Sequence, residues 1–258
     1  MIFLVRRCRN TSPIKLLYII ITQCIATGST KPFGNGRVNS NILFKQIAGT
    51  FQPSTFIVNG FVKRNPHYQT IVGSEALRTR IFGEYPRKFK TKSFRWDTPD
   101  GDFIDVDFTE DNEDAKGIVV ILHGLESNSK SPLVTKMTQA FLNKGFGCCL
   151  LSFRSCSNED NKTIGAYHLG FTDDIKLVVN RIKNMYPFKY IYLSGFSLGG
   201  NAILKFLGEV GNEAYEQLNV FGSVVTCVPF DPVACQKKID QGFNRAVYSE
   251  VGHLPNYT

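Results

Sequence analysis

No acidic residue precedes Glu75, and no two of the seven cysteines stand in C-x-x-C spacing. Cys8, Cys24, Cys148, Cys149, Cys156, Cys227 and Cys235 are odd in number, and two of them sit inside an apolar run. A disulfide framework or a zinc site needs paired spacing, so neither is expected, and the thiols read as reduced and buried. The chain also lacks an internal repeat and any RNA- or DNA-binding signature. At 43% hydrophobic and 20% charged residues it is neither disordered nor a collagen, coiled-coil or disulfide scaffold. Its 258 residues suffice for a real core, as one large domain with extensions or two small ones.

The missing acids make the charge lopsided. Residues 1–100 carry 16 Lys and Arg against 4 Asp and Glu, and residues 101–258 carry 14 against 18, for a net +8. Such a bias suits nucleic acid, an anionic membrane surface or a targeting segment. The basic residues are scattered rather than clustered, so no nucleic-acid partner is expected. Residues 16–28 form an apolar stretch behind Arg6, Arg7, Arg9 and Lys15, shorter than the roughly 20 residues a membrane-spanning helix needs. The stretch fits a signal-peptide core with Ala26-Thr27-Gly28 as the cleavage site, and residues 29–50, rich in Ser, Thr, Asn, Gly and Lys, have transit-peptide composition. Three readings stay open: a signal followed by a transit segment, a signal-anchor associating with a membrane through residues 14–28, and a mistaken start or simple amphipathic extension. The first two imply a membrane-associated or organellar location. All three set residues 1–50 apart from the fold, ahead of an N-terminal extension at 51–90, a core at 91–248 and an atypical tail at 249–258.

Within the extension a short helix is expected near 73–82. Runs at 88–97 and 102–109 flank Thr98-Pro99-Asp100-Gly101, in which Pro fixes φ and Gly accepts φ > 0, so they read as an antiparallel hairpin. From Gly117 onward, continuous apolar runs (117–122, 146–153, 190–193, 220–228) alternate with helix-period segments (132–144, 171–182, 198–208). That order predicts an α/β fold, a mostly parallel sheet with helices on both faces.

Between the third apolar run and its helix lies Gly195-Phe196-Ser197-Leu198-Gly199-Gly200, a G-x-S-x-G string in the strand-to-helix context of a nucleophile elbow. The turn is so tight that flanking side chains would clash, and it lifts Ser197 to the carboxyl edge of the sheet. His123-Gly124-Leu125-Glu126 closes the first run, where this architecture places half of an oxyanion hole. The N–H groups of Leu125 and Leu198 are the expected donors, and His123 is expected to pack the loop rather than act as a base.

Several ordered strings together resemble the YheT-like, embryogenesis-associated branch of the α/β-hydrolases over about residues 60–245. They are 65–70 (Asn-Pro-His-Tyr-Gln-Thr), 100–107 (Asp-Gly-Asp-Phe-Ile-Asp-Val-Asp), His123–Glu126 with Ser131-Pro132, 153–157 (Phe-Arg-Ser-Cys-Ser), 167–170 (Tyr-His-Leu-Gly) and Gly195–Asn201. The pattern departs at Ser152, where the family favours Asn, and at Ser155 and Asn158, where it favours Gly. The resemblance implies a serine hydrolase of short- or medium-chain esters or acylglycerols, acting through an acyl-serine without metal or organic cofactor. It makes Arg154 a residue of the supporting loop that positions the loop or a substrate oxygen, with a structural ion pair as the alternative, and His168 more simply structural. Asp173 and Asp174 read as favourable charges at a helix N-terminus.

This chemistry needs an acid and a histidine after the serine. Only His253 follows Ser197, with no strand before it, so the general base and acid are not identifiable and His253 is a weak candidate. Asp231 and Asp240 are no better as the acid. The sequence thus reads as a hydrolase lacking its last strand–helix units, with one sheet edge uncovered and weak or no activity as written. The rival from another class is a non-catalytic, hydrolase-like membrane or interaction protein. A thioesterase or peptidase on the same elbow stays open as well.

Overall fold

The computed structural model describes residues 2–6, 67–68, 81, 86–110, 114–157 and 159–245. Among the described residues seven strands run in chain order as β1 (Ile2–Arg6), β2 (Thr91–Asp97), β3 (Phe103–Thr109), β4 (Ile118–Leu122), β5 (Gly147–Ser152), β6 (Ile191–Phe196) and β7 (Val220–Thr226). They form one sheet in the order β1-β7-β6-β4-β5-β3-β2. The helices whose full extent lies among the described residues are α1 (Pro132–Leu142), α2 (Asp173–Met185), α3 (Leu198–Val210), α4 (Glu213–Glu216), α5 (Pro232–Ile239) and the single turn α6 (Gly242–Asn244).

Strands β4 and β5 are buried along their whole length, as unbroken apolar runs require of strands covered on both faces. Their alternate side chains feed two cores. Ile118, Val120, Leu122, Cys149 and Leu151 pack with Ile175, Val178, Val179 and Ile182 of α2 and Ala202, Ile203 and Phe206 of α3. Val119, Ile121, Cys148 and Leu150 face the other way, against Val134, Met137 and Phe141 of α1. The hairpin forms as its turn chemistry predicts: Gly101 takes φ +81° and its N–H donates to the Thr98 carbonyl at 3.1 Å. Strand β3 then pairs antiparallel with β5, while β4, β5, β6 and β7 run parallel.

Three departures from the sequence reading stand out. Residues 2–6, expected to lie apart with the leader, pair antiparallel with β7. The edge expected to be bare is therefore occupied, which satisfies backbone groups that an open edge leaves unpaired. Helix α5 was not anticipated, although Asp231-Pro232 announces it: the Asp231 carboxylate accepts the Ala234 N–H at 2.9 Å with Pro at the first helical position. Cys227 and Cys235 are exposed, whereas Cys148 and Cys149 are buried as expected. The apolar segment 14–28, the tail 249–258 and, apart from residue 81, the helix expected near 73–82 lie outside the described residues.

Candidate active site

Parallel pairing sets Leu122 of β4 beside both Leu151 of β5 and Gly195 of β6, so the loops that follow these strands meet at one edge. The chain leaves β4 for β5 on one side and returns to β6 on the other, which makes this edge the topological switch point where α/β sheets open a crevice. Backbone strain gathers there. Glu126 after β4, Ser155 after β5, Ser197 after β6 and Cys227 after β7 all have φ between 51° and 56°. Each non-glycine residue so held costs about 1–2 kcal/mol, and such strain is typical of functional sites.

Ser197 sits at φ 53°, ψ −122° between the end of β6 and the first turn of α3. Its N–H donates to the Thr226 carbonyl at 2.9 Å and its carbonyl accepts from the Asn201 N–H at 3.0 Å, which pins the turn at both ends. The following N–H, that of Leu198, is one of the donors a helix start leaves unspent and has no acceptor among the described residues. The elbow packs directly under the 123–126 loop: a Cβ on Gly124 would stand 3.4 Å from the Ser197 Cβ.

His123 is fully buried. Its Nε2 accepts the Phe153 N–H at 3.0 Å, so the proton lies on Nδ1, which donates to the Gly124 carbonyl at 2.7 Å. In a trans peptide, N–H and C=O point in opposite directions. Gripping the Gly124 carbonyl therefore turns the Leu125 N–H away from His123, and that N–H too meets no acceptor among the described residues. With both ring nitrogens used, His123 is a structural residue and not a base. Burial lowers its pKa to about 4. Below about pH 6.5 the unfolded chain takes a proton that the folded ring refuses, so stability falls as pH drops from about 6.5 to 4, by up to about 3 kcal/mol. Urea unfolding of wild type and His123→Gln should diverge by about 2–3 kcal/mol between pH 7 and 4.5; parallel curves would refute this.

Arg154 follows β5 and is 3% exposed. Its Nε and Nη2 grip the Asp174 carboxylate at 3.0 and 2.8 Å, while Nη1 and Nη2 reach Asp100 at 2.5 and 3.2 Å. Its plane lies 5.0 Å from the Phe171 ring centroid. With its donors spent on carboxylates, Arg154 anchors the loop rather than binding a substrate oxygen. Asp174 is thus the buried half of a bidentate pair, a role the helix-dipole reading missed. Asp102, also fully buried, accepts from Asn161 Nδ2, the N–H groups of Lys162 and Thr163, and the Thr163 hydroxyl. These bonds clasp the 154–166 loop to the hairpin turn. Burial opposes ionisation of Asp102, yet these hydrogen bonds hold its carboxyl well below the usual range. The departure at Ser155 now has a location: the family favours Gly where this chain holds serine at φ 56°.

Among the described residues nothing hydrogen-bonds to the Ser197 hydroxyl. His168 is exposed, with Nδ1 accepting the Gly170 N–H at 3.0 Å, and Asp231 caps α5. His253 lies outside the described residues. Among the described residues, a cavity of about 420 Å³ is lined by residues that include Asp107 and Ser129, and one of about 380 Å³ by residues that include Arg154 and Phe171. Ser197 lines neither. In the first, Asp107 accepts from the hydroxyls of Ser93 and Ser129 at 2.5 and 2.6 Å.

No protein-family model matches the chain. Putative esterase YheT of Escherichia coli strain K12 is 32% identical over 183 residues, covering 70% of this chain and 51% of that protein. Phospholipase ABHD3 of Mus musculus is 23% identical, covering 69% and 43%, and embryogenesis-associated protein EMB8 of Picea glauca is 26% identical, covering 69% and 39%. The chain spans about half the length or less of these curated relatives. A serine in a strand-to-helix turn at the switch point of a mostly parallel sheet, together with relatives that include a putative esterase and a phospholipase, gives the conclusion that the chain belongs to the α/β-hydrolase superfamily.

Proposed function

We propose that the chain is a serine carboxylic-ester hydrolase with Ser197 as nucleophile and the Leu125 and Leu198 N–H groups as the oxyanion hole. The observation that carries this reading is Ser197 at φ 53°, directly beneath the Gly124-Leu125 loop, with both N–H groups unspent. The hydroxyl oxygen adds to the ester carbonyl and the carbonyl electron pair moves onto oxygen, where the two donors meet it. One such donor is worth about 3–4 kcal/mol in the transition state. Collapse expels the alcohol and leaves an acyl-serine, which water then cleaves. The substrates we propose are short- and medium-chain esters or acylglycerol lipids, in keeping with the esterase and phospholipase names of the relatives.

The serine proton needs an acceptor, and none among the described residues bonds to it. With no acceptor assigned among the described residues, we expect slow reaction of these 258 residues taken by themselves. A fluorophosphonate probe should label Ser197 alone, at a rate lower by a factor on the order of 10⁴–10⁶ than a complete triad gives. Ser197→Ala should abolish the labelling. No labelling at Ser197 after prolonged exposure would sink the catalytic reading in favour of a non-catalytic, hydrolase-like protein. Labelling at ordinary esterase rates would instead overturn the expectation of slowness.

A further inference from the structure

We propose that Tyr167 is the positioning residue of the oxyanion loop, its hydroxyl fixing the peptide that follows Leu125 so that the Leu125 N–H stays aimed at the oxygen Ser197 attacks. This rests on the reading of Ser197 as nucleophile.

The loop has two consecutive peptides to orient. His123 holds the first, Gly124–Leu125, through its carbonyl. The second, Leu125–Glu126, is held through its N–H, which donates to the Tyr167 hydroxyl at 2.8 Å. Glu126 stands at φ 51°, a conformation a non-glycine residue leaves unless something retains it. Side chains at the turn supply no hydrophobic anchor, since Leu125 is 66% exposed. Without the Tyr167 hydroxyl, rotation about Leu125 lets the loop relax and swings its N–H off line.

Tyr167 is itself fixed on three sides. Its ring stacks on Phe153 at 5.0 Å with an interplanar angle of 5° and lies 6.4 Å from the His123 ring. Its hydroxyl oxygen is the acceptor of the Glu126 N–H. Two residues on, the Leu169 carbonyl accepts from Asn201 Nδ2 at 2.8 Å, tying this segment to the first turn of α3. The anchor of the oxyanion loop is thereby referred to the same helix that carries the elbow. A frame that links both donors keeps their spacing constant, which is what preorganised stabilisation of an oxyanion requires.

Tyr167→Phe deletes the oxygen and keeps the stacked ring. In the full chain, two measurements separate the outcomes. Fluorophosphonate inactivation should show a maximal rate reduced at least tenfold, with unchanged half-saturation and an unchanged fraction finally labelled; a folding defect would lower that final fraction instead. Amide hydrogen exchange should be faster at Glu126 in Tyr167→Phe and unaltered in Ser197→Ala. An unchanged maximal rate, or unchanged Glu126 protection, overturns the role of Tyr167 while leaving Ser197 as nucleophile. Failure of the wild-type chain to label at Ser197 overturns both readings together, and is told apart by its appearance before any Tyr167 variant is made.

Discussion

Arg154→Met is expected to cost about 3–5 kcal/mol of stability and to lower the melting temperature by about 10 °C for a chain of this size. The loss does not come from the ion pair as a net attraction, since a buried pair roughly offsets its own desolvation. It comes from what is left behind. Asp174 is 2% exposed and Arg154 is the side chain that grips both its oxygens. Asp100 is half exposed and can return to water, and Asp102 keeps its backbone and hydroxyl donors. Asp174 alone is stranded. Burial already pushes its carboxyl above the ordinary carboxylate range, with Arg154 opposing the rise. Removing the guanidinium raises it further, and a carboxyl whose folded pKa exceeds its unfolded one is best tolerated when protonated. The variant should therefore lose most stability at neutral pH and recover part of it as pH falls toward the unfolded value near 4. Arg154→Lys should recover little, because one ammonium cannot bridge Asp174 bidentately and reach Asp100 as well. Arg154→Met with Asp174→Asn should recover more than Arg154→Lys. Guanidinium unfolding at pH 7 and 5 decides: a loss under about 1 kcal/mol, or one independent of pH, would show that Arg154 is not what keeps Asp174 buried.

The parts of the molecule legible in the sequence are those written in local chemistry. Unbroken apolar runs announced β4 and β5 because a strand covered on both faces has no polar face to alternate with. The Pro-Asp-Gly turn announced the β2–β3 hairpin, and the crowded glycines around Ser197 announced the elbow. The structural character of His123 also followed from its position at a strand end. What stayed hidden depends on partners distant in the chain. Asp174 reads as a helix-start charge until the fold brings Arg154 to it from 20 residues away. Tyr167 meets Glu126 across 41 residues, and nothing in either neighbourhood names the other. Asp102 stands within a motif string, yet its purpose appears only when Asn161, Lys162 and Thr163 close on it. Residues 2–6 read as part of a leader on charge and composition, which report on targeting and not on strand pairing. Ser155 shows the limit in the other direction: its departure from a glycine was visible, but only the φ of 56° says what the glycine was for.

Gly199→Ala is expected to do more damage to the site than any other single methyl group added there. A Cβ at this position would stand 2.7 Å from the Leu122 carbonyl oxygen and closer still to that of His123. Both are backbone atoms at the end of a central strand with nowhere to go. At Gly195 the tip of Ile203 at 2.8 Å can turn aside, and the backbone contacts that remain, the Gly199 carbonyl carbon at 2.9 Å and oxygen at 3.0 Å, are less close than those at Gly199. The relief open to Gly199→Ala is for the first turn of α3 to back away from β4, and that movement carries the Leu198 N–H away from the Leu125 N–H. Overpacking of this kind costs about 1–3 kcal/mol or more in stability. A shift of about 1 Å in the reacting geometry costs on the order of 10²-fold in rate, so fluorophosphonate labelling of Ser197 should fall by at least that factor. The same helix contains its own control. Gly208 has nothing within 4 Å of an added Cβ, so Gly208→Ala should leave labelling unchanged and stabilise α3 by about 0.5–1 kcal/mol through helix propensity. Opposite signs in thermal unfolding and a rate loss confined to Gly199→Ala are the expected pair of results. Equal behaviour of the two variants would mean that the close approach of α3 to the end of β4 does not set the geometry of the proposed oxyanion hole, and that the Leu125 and Leu198 N–H groups are held in register by the loop above them instead.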